Sequence, residues 1–247
     1  VLPPPEDTIY VFDEGHHLPE KAIGHFSNFV QIRSTQTWLE QIPSTLKQLI
    51  AEIGEEGNMA VGMRPIEERI QELTLQLSHA LQHFSAFSPQ SEPDGDHRRY
   101  RFVRGEIEPD LRTSCGEVLD AQTRLVARIE PLRVALEDSL AIADEADREP
   151  FERWLPVVAS IVARLSASAA LWVDYTTPDS ASAAPKARWI VYRDDDVVVN
   201  ASPVAIDGTL DDLLWSRCFG AVVTSATLAV GGNFERYRQR AGIGSDN

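Results

Sequence analysis

The spacing of hydrophobic residues changes twice along this chain. At the start, residues 8–12, TIYVF, form a β-branched and aromatic run between a proline-rich lead and a polar turn, which predicts a short buried strand. A helix is expected from about Pro19, with the proline in its first turn and Glu20 near the positive end of its dipole. Residues 34–53 read as a helix capped by Ser34 and kinked or restarted at Pro43. The clearest helical repeat covers residues 65–84, where Ile66, Ile70, Leu73, Leu77, Ala80 and Phe84 recur at steps of three and four. Residues 88–105 carry no such period and read as a loop. A second stripe, Leu111, Cys115, Val118, Leu125, Ile129, Leu132, Leu136 and Leu140, predicts a long helical region bent at Pro131. Residues 150–173 are apolar on most sides, which predicts a central helix.

The texture then changes. TTPDSASAAP (176–185) has the composition of a linker. RWIVY (188–192) and VVVNA (197–201) flank Arg193-Asp-Asp-Asp196 and read as a hairpin. Residues 207–217 read as a helix capped by Asp207, and 220–228, GAVVTSATL, as a second buried strand ending in small polar residues. This order of strand, helices and strands predicts an α/β fold with a large all-α insertion, the two chain ends meeting in one sheet. The expected boundaries are 1–25 and 181–247 for the α/β part and 26–180 for the helical insertion.

Composition narrows the function classes. Of the 247 residues 43% are hydrophobic, which suits a globular chain. No unbroken apolar run approaches the roughly 18–20 residues of a membrane span, so no membrane partner is expected. The first residues lack the pattern of a signal peptide. The chain starts without methionine and stops soon after a new amphipathic segment begins, so it is expected to be a piece of a longer protein. A net charge of −15 excludes a surface that attracts phosphate backbones everywhere, so nucleic-acid contact would need a local basic patch. The two cysteines, Cys115 and Cys218, form neither a disulfide framework nor a CxxC site and suit a reducing cytoplasm.

Candidate chemistry begins at Asp13-Glu14-Gly15-His16. Carboxylates at the carboxyl end of a buried strand stand where α/β sheets bind ligands. One can hold Mg²⁺ through water, and the next can orient or deprotonate an attacking water. Alternatively Asp13 or Glu14 only caps a helix, or Asp13, Glu14, His16, His17 and His25 form a transition-metal site, although no H-E-x-x-H spacing supports one. The residues alone leave these readings open. VVTSATL (222–228) offers a second strand end whose hydroxyls, Thr224, Ser225 and Thr227, could touch the first cluster, or could simply end a strand. HRRYRFVR (97–104) is the densest basic cluster. Arg98, Arg99, Tyr100, Arg101 and Arg104 suit single-stranded DNA by phosphate pairing and base stacking, or else form a surface loop paired with Glu106 and Glu108.

VFDEGHH together with VVTSATL resembles motifs II and III of superfamily 2 DNA helicases, and more closely the DinG branch of the XPD-like helicases. The hairpin near 188–201 and LDDLLW (210–215) add to the resemblance, which spans the whole chain. It implies a partial RecA-like motor domain carrying a helical arch, within an ATP-dependent 5′→3′ DNA helicase of DNA repair and the SOS response, working in the bacterial cytoplasm at the nucleoid. By position, Asp13 would hold Mg²⁺ through water, Glu14 would place the hydrolytic water, and His16 would couple the nucleotide site to Ser225, Ala226 and Thr227. The implied partners are ATP, single-stranded DNA and DNA junctions, with protein partners at the arch. The chain departs from the family in lacking a G-x-x-x-x-G-K-[ST] loop and the four cysteines of a 4Fe–4S cluster, which would lie upstream. The isolated chain is therefore expected to be inactive on ATP. A non-catalytic, acidic helical interaction module is the alternative, and an XPD-like relative with other substrates, or with a nuclease domain instead of the cluster, is a further one.

Overall fold

The computed structural model describes residues 3–53, 63–178, 185–229 and 231–244. It forms two compact units: Val1–Ser27, Asp179–Ala187 and Ser202–Asn247 make the first, and Asn28–Pro178 and Arg188–Ala201 the second. The mixed α/β class and the helical middle expected from the pattern are present. The expected linker falls largely on 179–184, outside the described residues.

Among the described residues, four α-helices build the second unit: α2 (Ile32–Ile53), α3 (Met63–Ser85), α4 (Pro109–Ile142) and α5 (Glu149–Thr176). All six stripe residues of 65–84 are buried on α3, as a 3.6-residue repeat facing a core requires. On α4 the stripe is buried from Leu111 to Leu136, and Leu140 is half-buried near the helix end. Pro43 does not restart α2, and α4 runs on through Pro131. The hydroxyls of Ser44 and Thr45 donate to the Gln41 carbonyl beside Pro43, at 2.8 and 3.2 Å. Cys115 is fully buried, and burial pushes its thiol up to about 12, so it stays protonated and unreactive.

By length and composition α5 is long and apolar enough to cross a membrane, contrary to the sequence expectation. Here it is the central helix the pattern predicted. Trp154, Val158, Ile161, Leu165, Leu171, Trp172 and Tyr175 are buried against α2, α4 and the sheet.

Ser34 is not the cap of α2. The Asp196 carboxylate, 162 residues further on, accepts the Ser34 N–H at 2.9 Å and its hydroxyl at 2.7 Å. It also takes the N–H groups of Arg33 and Val197, each at 2.8 Å. This buried carboxylate thus does the capping work of an N-terminal serine and locks the hairpin turn to the helix. Asp196→Ala should cost about 1–2 kcal/mol of unfolding free energy in urea titrations, the usual magnitude for a lost N-cap. A change below a few tenths would remove the capping role.

The second unit's sheet has the strand order β2 (Asn28–Gln31), β6 (Val197–Pro203), β5 (Lys186–Tyr192), β4 (His97–Arg101), β3 (Glu92–Asp94). The hairpin at 188–201 is present as β5 and β6. It stands at the centre of this sheet and so belongs with the helices, not with the 181–247 segment assigned to the α/β part. The stretch 88–105 is not a loop. It holds the β3–β4 hairpin, and β4 pairs antiparallel with β5, Arg99 opposite Val191 and Arg101 opposite Trp189. Alternation explains why the charge pattern hid the strand. Tyr100 and the next even position, Phe102, face the core, where their rings meet Phe87 at 4.8 and 5.4 Å. Arg188, only 2% exposed, holds this corner together. Its guanidinium donates to the Asp174 carbonyl at 2.8 and 2.6 Å and to the Gly105 carbonyl at 2.7 Å.

In the first unit, β1 (Ile9–Phe12) pairs in parallel with β7 (Gly220–Val223), Ile9 opposite Gly220. The two ends of the chain meet, as expected. Neither strand is buried as predicted: Ile9 is 61%, Val11 70% and Val222 49% exposed. Apolar composition selects the strand, but burial needs a packed layer, and among the described residues this sheet has only two strands. The predicted helix 207–217 is a short α6 (Asp207–Leu210) followed by a π-helical turn, Asp211–Trp215, and Asp207 makes no side-chain cap. Ala22 of α1 (Leu18–His25), Ile206 and Leu210 form a small core. The final helix is α7 (Glu235–Ala241).

Candidate functional site

Parallel pairing puts the carboxyl ends of β1 and β7 side by side. Beyond Phe12 and Val223 the ladder continues: the Thr224 N–H donates to the Phe12 carbonyl at 2.8 Å, and the Gly15 N–H to the Thr224 carbonyl at 2.9 Å. Between these bonds the chain reverses at Glu14, whose φ of 49° and ψ of 40° are left-handed. A non-glycine residue there carries backbone strain of roughly 1–2 kcal/mol, typical of functional turns. The Glu14 N–H is held by the Asp13 carboxylate at 2.9 Å.

Gly15 is buried, and a Cβ there would come within 2.1 Å of Val223 Cγ1, so only glycine fits against this valine. Its carbonyl accepts from the Tyr237 hydroxyl of α7 at 2.9 Å. Partial burial pushes the Tyr237 phenol up, keeping it a donor. Sequence reasoning missed Tyr237. A lone tyrosine in an arginine-rich helix, 222 residues from its partner, gives no local signal.

Motif residues predicted to meet do meet. Thr224 Oγ1 donates to Asp13 Oδ1 at 3.0 Å. Ser225 Oγ lies 3.1 Å from Glu14 Oε2 and 2.7 Å from His16 Nδ1, and His16 Nδ1 is 3.2 Å from the same glutamate oxygen. Ser225 has one proton. With that proton directed to Glu14, its oxygen accepts from His16 Nδ1–H, which fixes the imidazole tautomer. Thr227 closes the turn, its Oγ1 3.4 Å from Ser225 Oγ. Ala226 is an exposed turn residue.

Neither carboxylate caps a helix: Glu14 and His17 occupy the N-cap positions without a side-chain bond. Among the described residues no group of three or more His, Cys, Asp or Glu could hold a metal, and His25 packs edge-on against Phe26 at 5.0 Å. The transition-metal alternative is therefore not formed. Two exposed carboxylates at one strand end do fit Mg²⁺, which keeps most of its waters and takes only one or two protein carboxylates.

The basic stretch is divided by its strand. Arg98 donates to Ser91 Oγ at 2.9 Å and to the Ser91 carbonyl. Arg99 pairs with Asp94 at 2.6 Å rather than with Glu106 or Glu108. The Tyr100 ring packs on Phe87 and Phe102, half-buried, so it is not the free stacking ring the sequence suggested. Arg101 and Arg104 are exposed.

No family model matches the chain. Curated relatives do. It is 32% identical over 248 residues to the ATP-dependent DNA helicase DinG of Photobacterium profundum, covering 98% of this chain and 34% of that protein. It is 25% identical over 252 residues to the ATP-dependent DNA helicase DinG of Escherichia coli (strain K12), again covering 98% and 34%. The same name and coverage hold for Salmonella typhimurium, at 25% over 253 residues. The chain thus spans about a third of the length of the curated relatives it matches, and they bear out the resemblance that the two motifs drew.

Proposed function

We propose that this chain, a stretch of DinG-type helicase sequence, supplies part of the motor and the arch of an ATP-dependent 5′→3′ DNA helicase that acts in DNA repair. In this reading the first unit is part of a RecA-like motor domain and the second the arch beside single-stranded DNA. The observation that supports it is the Ser225 hydroxyl standing between His16 and Glu14, at 2.7 and 3.1 Å, which ties the end of one strand to the end of the other. Bound Mg²⁺ would neutralise charge on the ATP phosphates. Asp13 would hold that ion through water, oriented by Thr224. Glu14 would orient the attacking water and accept its proton. His16 would feel any movement of Glu14 and pass it to Ser225, and so to motif III. The 247 residues contain no phosphate-binding glycine loop, so turnover would need further sequence of a longer protein.

The coupling role is testable in an intact DinG-type helicase through Ser225→Ala and His16→Ala. ATP should still bind. The ratio of single-strand affinities with and without ATP should fall toward one, from the roughly 5- to 150-fold expected of two coupled sites. Variants that keep the full ratio would rule out the relay.

A further inference from the structure

The second unit's sheet turns one face away from the helical core. Phe29 stands opposite Asn200, and Arg101 opposite Trp189. The hairpin joining β5 and β6 closes with the Arg193 N–H donating to the Asp196 carbonyl at 2.9 Å, which sets 193 opposite 196 and hence Trp189 opposite Asn200. Phe29, Asn200, Trp189 and Arg101 therefore form one row across four adjacent strands. The next row, Val30, Val199, Ile190 and Tyr100, faces the core.

The outward row is open at Phe29 and Arg101, whereas Val191 and Val198, one pleat further along the same face, are buried. Phe29 is 63% exposed, Asn200 and Trp189 are half-buried, and Arg101 is exposed. Strands about 4.8 Å apart put the two rings about 10 Å from each other and Arg101 about 5 Å beyond the indole. Two separate rings with an amide between them and a guanidinium at the end present stacking faces beside one positive charge. They match a polymer that alternates flat π-faces with negative charge. Arg101 is exposed and supplies positive charge at this end of the row, while Arg99 is paired with Asp94 on β3 at 2.6 Å.

We propose that this row is a stacking platform for single-stranded DNA, with bases on Phe29 and Trp189 and a phosphate at Arg101. The proposal rests on the helicase reading for its substrate class, but it moves the contact from the basic stretch itself to the sheet face, where Phe29 and Trp189 replace Tyr100 as the stacking rings.

The test is fluorescence anisotropy of a labelled oligo(dT) of about 15 nucleotides, the upper range of a single stacking site, with the whole chain at low salt and no ATP. Phe29→Ala should weaken binding by roughly 5- to 100-fold, the effect of losing one stacked base. Phe29→Trp should restore it. Arg101→Gln should weaken binding and flatten the salt dependence by about 0.7 in log–log slope. Because Phe29 is already exposed, its alanine variant should fold, which far-ultraviolet circular dichroism checks. Unchanged affinity in Phe29→Ala and Arg101→Gln, with the parent chain still binding, would overturn the platform and leave the helicase reading standing. No oligo(dT) binding by the parent chain would also overturn it, while the helicase reading is judged separately by the ATP-coupling assay. Loss of self-association in Phe29→Ala, with DNA affinity unchanged, would assign the row to a protein contact instead.

Discussion

Glu14→Gln, introduced into an intact DinG-type helicase, should lower its ATP turnover number by roughly 10²- to 10⁴-fold, the range of a lost general base, while ATP affinity should stay within a few-fold. Glutamine keeps the size of glutamate and can still accept from Ser225, whose hydroxyl lies 3.1 Å from Oε2. The left-handed turn at Glu14 should survive as well, because the strain lies in the backbone and the Asp13 carboxylate still accepts the residue's N–H at 2.9 Å. What the amide lacks is a basic oxygen. A loss of turnover with retained nucleotide binding therefore isolates proton acceptance from architecture. Asp13→Asn provides the contrast, because it should weaken Mg²⁺-dependent ATP binding itself. Turnover in Glu14→Gln within threefold of the parent enzyme would take the base away from this residue.

Arg188→Leu should destabilise the second unit by about 3–5 kcal/mol, the cost of breaking a buried charged network from one side. The guanidinium is 2% exposed and donates to the carbonyls of Asp174 and Gly105, which join the end of α5 to the turn before α4. Leucine fills part of the volume and supplies no donor, so buried carbonyls lose their partners. The Asp174 carboxylate, itself 6% exposed, accepts from Asn28 Nδ2 at 2.8 Å and so carries the same corner into β2. Arg188→Lys should recover only part of the loss, since an ammonium cannot reproduce the three-way fork. Urea unfolding followed by circular dichroism measures both. A loss under about 1 kcal/mol for the leucine variant would mean the carbonyls find water or other donors.

Helices were legible where one residue type at one spacing decides the outcome. The stripe from Ile66 to Phe84 needs no distant partner to define its face, and all six of its residues are buried. Features set by distant partners were not legible. Arg98, Arg99 and Arg101 look like loop residues until β5 pairs beside them and turns Tyr100 inward. Ser34 looks like a cap until Asp196 arrives from 162 residues away. TIYVF reads correctly as a strand, but its burial belongs to whatever lies against it. At the site, the Asp13–Glu14–His16 cluster and Ser225 could be paired in advance because each ends a recognisable strand. The Tyr237 tether could not, since nothing in ERYRQRA marks one residue as reaching Gly15.

Ile9 lies opposite Gly220, so the β1–β7 pair closes a loop of 211 residues. Closing so long a loop in a disordered chain is slow, because its entropy must be lost before any pairing rewards it. The helical unit changes this, since α3–α4 and α4–α5 are sequential neighbours that can fold early on local contacts. During synthesis at about 5–20 residues per second, Asp13 and Glu14 would leave the ribosome roughly 10–40 s before Ser225. In that interval β1 would have an unpaired edge with Ile9 and Val11 on its surface, a segment open to wrong partners until β7 is made.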